Sequence, residues 1–385
     1  MKKKLLVTAS TFPRWEGDTE PRFVLDLCKA MNEFFDVTVL APACPNAKEQ
    51  EVLEGVNVIR YHYFPIHRWE TLCYPGAIIP RIKEKKIRGI LVPFLFIGLW
   101  KKLLFELPKY DFVHANWIIP QGIIQSMFSK PYIVTGHGGD VMELNVGIFK
   151  ALKRRCLNKA KYVTVVSEKA KKTLNLIYGT EHVKVQSMGC DIDKFNPQKR
   201  IENYFNQKDK KVILFVGRFV EIKGITYLID AMKKIDALLV IVGKGPDEEK
   251  IKKQAEECKE KVLFMGPQDH SVLPIIYASS DIFIIPSITL SGGVTEGAPT
   301  VITEAMASGL PVIGTNTGGI PELISDGENG MIIKEKNSED IVEKVNFLMN
   351  NPEILQKMAL NAREMGVQKS YKNVAKSFRD LLETI

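Results

Sequence analysis

The sequence lacks paired cysteines, a long uninterrupted hydrophobic run and any single long block of basic residues. Its six cysteines lie far apart, and none forms a C-x-x-C pair. This spacing argues against a metal cage or a disulfide framework and favours a reducing compartment. The first residues, MKKKLLVTASTFPRW, have a basic start but too few apolar residues before Pro13 for a signal-peptide core. We therefore expect a cytoplasmic protein.

The formal net charge of +8 favours anionic partners, such as nucleotides, phosphates, acidic lipids or nucleic acid. Zinc-finger spacing and an aromatic RNP-like strand are both missing, so a basic nucleic-acid binder is the weaker interpretation. Glu248 stands where a dinucleotide fingerprint that begins at Gly243 would have its third glycine, which excludes an NAD site. We expect no nucleic-acid partner and no cofactor.

The length of 385 residues predicts two domains, each large enough to bury its own core. Short apolar runs alternate with helical or polar segments, a pattern typical of doubly wound α/β domains with parallel sheets. In the first half, the predicted strands are residues 4–9, 37–41, 56–61, 111–115, 132–136 and 162–167. In the second half, they are VILFV, LLVIV, VLFMG, DIFII and PVIG, and we predict helices at residues 23–31, 338–350 and 352–365.

A phosphate site is indicated in the segment SGGVTEGAPTVITEAMASG. Pro299 suits the first turn of a short helix, and Gly309 suits its end. Gly297 precedes this helix, so backbone N–H groups at the helix start can approach an anion closely. Glu296 and Glu304 flank the same start with seven residues between them. A phosphate repels such carboxylates, which suit the hydroxyls of a sugar or a ribose instead.

Two further glycine-containing loops follow predicted strands of the second half. After PVIG, the run TGGIPE is expected to open a second helix at Pro321. After VILFV come Gly217 and Arg218, with Lys223 five positions beyond the arginine at another helix start. The two cations are expected to converge where a diphosphate would bind.

Together these motifs resemble those of the retaining glycosyltransferases of family 4, also called glycosyl transferases group 1. The matching features are Glu-x7-Glu, Gly-Gly-x-Pro-Glu and Gly-Arg-x4-Lys-Gly. The resemblance implies the α/β GT-B fold, with two facing Rossmann-like doubly wound domains and a cleft between them. It implies an acceptor-side domain at residues 1–197, a linker at 198–210, a nucleotide-sugar domain at 211–366 and a terminal helix at 367–385 that crosses back to the first domain.

The resemblance also implies roles for individual residues. In the family, the first glutamate of the motif contacts the donor sugar, the second contacts the nucleotide ribose, and the Arg-x4-Lys pair holds the donor phosphates. The implied catalytic residues are therefore Glu296, Arg218, Lys223 and His137. The implied donor-binding residues are Glu304, Gly297, Ala298, Pro299, Thr300, Gly217, Gly266 and Gly17. Gly17 stands alone where the family usually has adjacent glycines, so its loop serves either the donor or the acceptor.

Two loops of the first half, HANWIIPQG and GHGGDV, also match family patterns. By resemblance, His137 reaches the donor hexose or its phosphate, and Asp140 binds sugar hydroxyls. Trp117 is assigned to the acceptor side, whereas His114 is expected to be structural. Without the family, a histidine in a glycine-rich loop is more often solvated or bonded to backbone.

The segment MGCDIDKFNP contains Asp191 and Asp193 in the spacing of a metal motif from a different glycosyltransferase architecture. Such carboxylates would hold a divalent ion against a diphosphate. Because the segment instead matches the interdomain connection of family 4, we expect no metal.

The region at residues 83–107 contains a run of twelve apolar residues, Gly89 to Trp100, between basic flanks, which is too short to span a bilayer. It is either a core helix beneath the sheet or a peripheral contact with anionic lipid. We favour the membrane contact, because a glycolipid acceptor would place the enzyme there.

The predicted function is the metal-independent transfer of a hexose from a nucleotide diphosphate sugar, such as a UDP- or GDP-sugar, to an acceptor hydroxyl with retained configuration. The acceptor is expected to be a sugar or a lipid-linked precursor of a glycolipid or polysaccharide. The alternative is a membrane-associated protein of the same fold that binds a nucleotide-sugar without catalysis.

Overall fold

The computed structural model describes residues 2–18, 20–180, 182–207, 209–269 and 271–385. The chain divides into two compact units, and Lys208 of the predicted linker and His270 of VLFMGPQDH lie outside the described residues. Unit 1 comprises Met1–Met188 and Tyr371–Ile385, and unit 2 comprises Gly189–Ser370.

Unit 1 is built on an eight-stranded sheet with the order β3-β4-β2-β1-β5-β6-β7-β8. Within the described residues, its pairings are parallel except for the edge pair β3 and β4, which is antiparallel. The strands are β1 Lys4–Thr8, β2 Asp36–Pro42, β3 Gln50–Leu53, β4 Val56–Tyr61, β5 Phe112–Asn116, β6 Tyr132–Gly136, β7 Tyr162–Val165 and β8 Val183–Val185.

The helices of unit 1 cover the two faces of this sheet. They are α1 Phe23–Met31, α2 Ile78–Glu84, α3 Leu91–Glu106, α4 Ile123–Gln125, α5 Gly139–Met142, α6 Gly147–Lys159 and α7 Glu168–Tyr178, with the terminal helix Tyr371–Leu382. One hydrophobic cluster joins β1 and β2 to α1 and the terminal helix, and a second joins the other face to α3 and α6. Most strand residues are apolar on both sides, as a covered parallel sheet requires, although buried His114, Thr135 and Thr164 form hydrogen bonds across β5, β6 and β7.

Unit 2 contains a six-stranded sheet with the order β11-β10-β9-β12-β13-β14, and its recorded pairings are parallel. Its strands are β9 Val212–Val216, β10 Leu238–Val242, β11 Val262–Gly266, β12 Ile282–Ile285, β13 Val312–Thr315 and β14 Gly330–Ile333. Its helices are α8 Ile225–Met232, α9 Glu248–Ala255, α10 Leu273–Ala278, α11 Thr300–Ala307, α12 Ser338–Asn350 and α13 Pro352–Gln368, and the terminal helix of unit 1 is α14.

The unit boundaries differ from the predicted domain boundaries. Residues 189–197, which we assigned to the first domain, belong to unit 2, where the N–H of Cys190 donates to the carbonyl of Lys369. The predicted linker is also packed into unit 2, because the Arg200 guanidinium donates to the carbonyls of Ala278 and Ser280. The polar composition of residues 198–210 suggested a free linker, whereas hydrogen bonds from a side chain to backbone carbonyls hold this segment on unit 2.

Helix α3 has one apolar stripe that is buried and other apolar residues that are exposed. Leu95, Leu99 and Leu103 lie on a stripe that is buried in the core of unit 1. Ile97, Leu104 and other large apolar residues of the same helix are exposed. Among the residues that the structure describes, no helix combines the length and the apolar content that crossing a membrane requires.

Helices α11 and α13 are in close contact at Gly366. A Cβ atom added at Gly366 would lie 2.5 Å from the backbone nitrogen of Ala307. We predict that Gly366→Ala lowers the free energy of unfolding of unit 2 by about 1–3 kcal/mol, because one helix must shift. The measurement is urea unfolding followed by circular dichroism.

Gly89→Ala is the matched control, because an added Cβ there meets no heavy atom within 4 Å. It should change the free energy of unfolding by less than about 0.5 kcal/mol. Equal stability of the two variants would contradict the close helix contact.

Candidate donor-binding loops and acceptor-side loop

The loops at the carboxyl ends of β9 and β12 pack directly on each other in unit 2. Gly224 has φ +62°, and a Cβ atom added there would lie 2.0 Å from the carbonyl oxygen of Pro286. The N–H of Ile288 donates to the carbonyl of Ile222 at 2.9 Å. Parallel strands bring their carboxyl ends to one edge of the sheet, where ligands bind in open α/β folds. The backbone contact fixes the position from which Lys223 projects.

Lys223 and Glu296 form an ion pair in this region, with 3.0 Å between Nζ and Oε1. The two side chains are only 12% and 15% exposed. The Lys223 side chain also passes close to Gly217, where an added Cβ would lie 3.6 Å from its Cε. The structure therefore brings together three residues that the sequence placed in one site, and it adds a direct charge pairing between two of them.

The run TGGIPE does not open a second helix, so that prediction was wrong. Residues Ile320–Glu322 form only one 3-10 turn. A Cβ atom added at Gly318, with φ +60°, would lie 2.0 Å from the carbonyl oxygen of Glu296. The N–H of Gly319 donates to the carbonyl of Gly297 at 2.9 Å. Gly318 therefore supports the loop that carries Glu296, because only a residue without a side chain fits there, and Gly319 adds a backbone hydrogen bond.

Helix α11 begins at Thr300, with Pro299 before it, and no side chain caps its N-terminus. Glu304 lies about one turn inside, and its Oε2 accepts a hydrogen bond from the Tyr277 hydroxyl at 3.0 Å. Burial, together with the Glu304 carboxylate, raises the pKa of Tyr277 well above its ordinary value, so the hydroxyl stays protonated. Ala298 and its neighbours at this helix start are half-buried. The backbone N–H groups of the first turn are therefore not occupied by a side-chain cap at the N-cap position.

A carboxylate braces the loops that follow β12 and β13. Glu335 accepts hydrogen bonds from the N–H and the hydroxyl of Thr289, and the Thr289 hydroxyl lies 2.9 Å from that of Thr317. Burial acts against ionisation of Glu335, but hydrogen bonds from Thr289 and Thr317 outweigh it and lower the pKa. Glu335 therefore remains charged and fixes the site loops.

Arg218 and Gly266 complete the predicted donor side. Arg218 is exposed, and within the described residues it forms no salt bridge with a carboxylate. The carbonyl of Gly266 accepts from the N–H of Gly243 at 2.9 Å, which ties the ends of β10 and β11 together. Gly243 is thus a structural contact at the same sheet edge.

His137 lies in unit 1 at the end of β6, half-buried against aromatic rings. Its ring centroid is 4.7 Å from that of Trp117 and 5.2 Å from that of Phe23, and its Nε2 lies 3.1 Å from Asn116 Oδ1. Burial, reinforced by nearby His114, lowers the pKa of His137 below its ordinary value. The imidazole is therefore neutral at pH 7, and it can exchange hydrogen bonds with a sugar but cannot supply positive charge to a phosphate.

Asp140 holds the backbone of its own loop. Its Oδ1 accepts from the N–H groups of His137 and Gly138, and its Oδ2 accepts from the N–H of Ile118 at 2.7 Å. Burial raises the pKa of Asp140, while these hydrogen bonds oppose the shift. These contacts give Asp140 a positioning role in the loop, and its contact with sugar hydroxyls stays a prediction.

The other residues of the first half that the sequence singled out also lie in unit 1. Trp117, with φ +73°, packs its ring on His137. His114 is buried, its Nε2 lies 2.7 Å from the Thr135 hydroxyl, and burial lowers its pKa to about 3. This contact agrees with the structural role we expected. Gly17 lies in a loop whose shape is held by a salt bridge between Arg14 and Asp18 at 2.7 Å.

Asp191 and Asp193, the two aspartates with the Asp-x-Asp spacing, lie in a local turn. Asp191 Oδ1 accepts from the N–H groups of Asp193 and Lys194. Among the described residues, one group of side chains brings possible metal-ligand atoms within 4.8 Å of one another. It consists of His62, His67 and Glu70 in unit 1. The His62 ring contacts Glu70 Oε2 at 2.6 Å and Glu49 Oε1 at 3.0 Å. Although burial opposes the shift, these two carboxylates raise the pKa of His62 above its ordinary value.

Several contributors carried no signal in the sequence. Tyr277, Glu335 and Asn116 act on site residues from distant parts of the chain, and only the fold brings them close. Asn116 directly follows the predicted strand at residues 111–115, but nothing in the sequence indicated its contact with His137.

Comparison with known proteins supports the same family. The family model for glycosyltransferase family 4 matches residues 21–194, and that for glycosyl transferases group 1 matches residues 197–365. An uncharacterised glycosyltransferase of Methanocaldococcus jannaschii is 27% identical over 352 residues, which are 87% of this chain and 93% of the relative.

Two further proteins are similar over nearly the whole chain. The GDP-mannose-dependent alpha-(1-6)-phosphatidylinositol monomannoside mannosyltransferase of Mycobacterium tuberculosis is 26% identical over 386 residues, covering 94% of this chain and 93% of the relative. The structure of Anabaena HepE in complex with UDP superposes with a TM-score of 0.75 at 19% identity, covering 100% of both chains. This protein is therefore a glycosyltransferase of family 4, group 1, with the GT-B fold.

Proposed function

We propose that this enzyme transfers a hexose from a nucleotide diphosphate sugar to an acceptor hydroxyl, retains the anomeric configuration and requires no metal ion. The observation that carries the proposal is the Lys223–Glu296 ion pair, held between glycine-supported loops at the start of α11. A nucleotide-sugar donor is further supported by the GDP-mannose dependence in the name of the mycobacterial relative and by the UDP in the HepE structure.

Charge balance explains why this pair suits the reaction. The departing diphosphate develops negative charge, which cations and backbone N–H groups stabilise; one such preorganised group contributes about 3 kcal/mol. In the structure described here, Lys223 is neutralised by Glu296. We propose that the donor diphosphate replaces Glu296 as the partner of Lys223, while Arg218 adds a second charge. The released carboxylate of Glu296 then accepts hydrogen bonds from the hexose hydroxyls.

The remaining site residues receive supporting roles. Glu304, already oriented by the Tyr277 hydroxyl, accepts from the ribose. Gly297, Ala298, Pro299 and Thr300 shape the helix start that faces the phosphates. Front-face attack, in which a phosphate oxygen of the leaving group accepts the acceptor's proton, follows from the family resemblance. It leaves the neutral His137 to bind the sugar by hydrogen bonds.

The first prediction concerns the separate losses in two variants. Lys223→Ala should weaken nucleotide-sugar binding at least about tenfold and lower kcat, because it removes a phosphate cation and leaves Glu296 unpaired. Glu296→Ala should keep donor affinity at or above that of the wild type but lower kcat by about 10²–10³. Calorimetry with the donor and initial-rate kinetics measure these effects.

The matched control is the exposed ion pair of Lys234 and Glu339 in the same unit. Lys234→Ala and Glu339→Ala should leave both affinity and kcat unchanged. Equal loss of donor affinity in Lys223→Ala and Glu296→Ala would contradict the exchange of partners.

The second prediction concerns metal ions. Because Arg218 and Lys223 supply the positive charge, we expect transfer to continue at the wild-type rate after dialysis against EDTA. The measurement is release of nucleoside diphosphate together with proton NMR of the product, which should show the anomer of the donor. Loss of transfer in EDTA with recovery on adding Mg²⁺ would contradict metal independence, and the opposite anomer would contradict retention.

We also propose that residues 83–107 contact an anionic membrane surface on the cytoplasmic side. Ile87, Ile90, Ile97 and Phe105 are all more than half exposed. They recur at helical spacing beside exposed lysines, and the stripe continues through Phe94. Phe64 packs against Phe94 at 4.9 Å, and it also stacks on exposed Trp69. Apolar side chains with aromatic and basic neighbours suit the interface of anionic lipids.

A variant of α3 and the turn before it tests this contact. Ile90→Gln, Ile97→Gln and Phe105→Gln combined should lower partitioning onto vesicles with anionic lipid at least about tenfold, because less apolar area is buried. Co-sedimentation measures it, and Leu360→Gln, at an exposed site of unit 2, is the control. Unchanged binding, or a dimer that only the triple variant abolishes, would contradict the membrane contact.

A further inference from the structure

A second exposed apolar segment lies in the loop and helix start that follow α5 in unit 1. Val146 is 76% exposed and Ile148 is 71% exposed. Met142 and Leu144 in the same segment are also exposed. Four large apolar side chains within seven consecutive residues therefore contribute little to the core. The segment Met142–Ile148 comes directly after His137 and Asp140, and it shares no residue with α3.

Polar contacts hold the backbone of this segment firmly. The fully buried Lys153 donates to the carbonyl of Glu143 at 2.8 Å and to Asn145 Oδ1 at 2.6 Å. Asn145 Nδ2 donates in turn to the carbonyls of Val141 and Met142, each at 3.0 Å. The Tyr178 hydroxyl donates to Asn145 Oδ1 at 2.6 Å. The segment is therefore anchored from beneath by polar groups, and its apolar side chains are left facing outward.

The anchoring persists at neutral pH. Burial lowers the pKa of Lys153 to about 8, with the Asp140 carboxylate opposing the shift, so the amine remains mostly protonated at pH 7. Leu144 is held with φ +54°, a conformation that a leucine adopts at a cost. A strained leucine that is exposed is not explained by packing within unit 1.

Helix α6, which continues from this segment, is positively charged and so complements anionic lipid headgroups. Helix α6 contains Lys150, Arg154, Arg155 and Lys159 besides Lys153, and it has no acidic residue. Arg155 lies seven positions after Ile148, so the two share one helical stripe. Arg154, Arg155 and Lys159 are exposed. An exposed apolar segment followed by a uniformly basic helix matches the apolar interior and the anionic headgroups of a bilayer surface.

We propose that Met142–Ile148 is a membrane-docking segment that inserts Leu144, Val146 and Ile148 into an anionic bilayer, while α6 binds the headgroups. Lys153 is the positioning residue that keeps the segment rigid. Because the segment adjoins the loop of His137, the acceptor is a lipid-linked sugar taken from that bilayer. This last step rests on the proposed function, whereas the docking does not.

The test uses the full chain with two kinds of vesicle. Leu144→Ser, Val146→Ser and Ile148→Ser combined should lower partitioning onto vesicles of 30% phosphatidylglycerol in phosphatidylcholine by about tenfold. The same tenfold loss should occur when the three loop substitutions are introduced into the variant with Ile90→Gln, Ile97→Gln and Phe105→Gln, because the two surfaces share no residue. Arg154→Gln with Arg155→Gln should lower binding to these vesicles and leave the weaker binding to pure phosphatidylcholine unchanged.

The control is Val52→Ser, at an exposed apolar position on edge strand β3 of the same unit, which should bind vesicles as the wild type does. Lys153→Met should weaken vesicle binding even though this side chain is buried, and circular dichroism verifies that each variant is folded. Wild-type partitioning of the triple loop variant would overturn the proposal. So would loss of a soluble dimer in that variant with no change in vesicle binding.

Donor hydrolysis without vesicles separates this inference from the proposed function. The triple loop variant should hydrolyse the nucleotide-sugar at the wild-type rate and lose transfer to a vesicle-borne acceptor. If the wild type uses no nucleotide-sugar but the variant still loses vesicle binding, the proposed function fails and the docking surface stands.

Discussion

The ion pair between Lys223 and Glu296 is the interaction on which the donor side of unit 2 depends. It joins the loop after β9 to the loop before α11, and each of those loops is held by a backbone contact that requires glycine. A partly buried charge without a partner would cost about 3–5 kcal/mol. The pair therefore keeps the two loops in register before a ligand binds, and an incoming dianion can exchange with the carboxylate rather than create a new charge site.

The candidate residues of unit 1 work by a different principle. Asp140 accepts from two backbone N–H groups of the loop that carries His137, and from the N–H of Ile118 in the loop after β5. Trp117 and Phe23 enclose the imidazole, and its lowered pKa keeps it neutral. Unit 1 therefore offers hydrogen bonds and an apolar wall, which suit a sugar, whereas unit 2 concentrates charge, which suits a diphosphate.

The sequence predicts those features that depend on local patterns. The buried strands and helix α1 follow from continuous apolar runs and helical periodicity, and the Rossmann-like class follows from their alternation. Strands β3, β8 and β14 were not predicted; each is only three or four residues long and includes residues that are not fully buried. The run TGGIPE was mistaken for a helix start because a glycine pair before proline fits both a helix start and a close backbone contact. The two apolar stripes of α3 also cancel in any measure of amphipathicity, so exposure could not be predicted.

The sequence predicted which residues belong to the candidate site, but it did not predict which of them contact each other. Gly217, Lys223 and Glu296 were expected in one place, and they do meet, but nothing in their spacing indicated that the lysine would pair with the glutamate. Tyr277 and Glu335 influence the site only through the fold. The most direct test of the partner exchange is a crystal structure with a bound nucleoside diphosphate. We predict that Lys223 Nζ contacts a phosphate oxygen and that Glu296 has left it; a bound diphosphate with the Lys223–Glu296 pair intact would contradict the exchange.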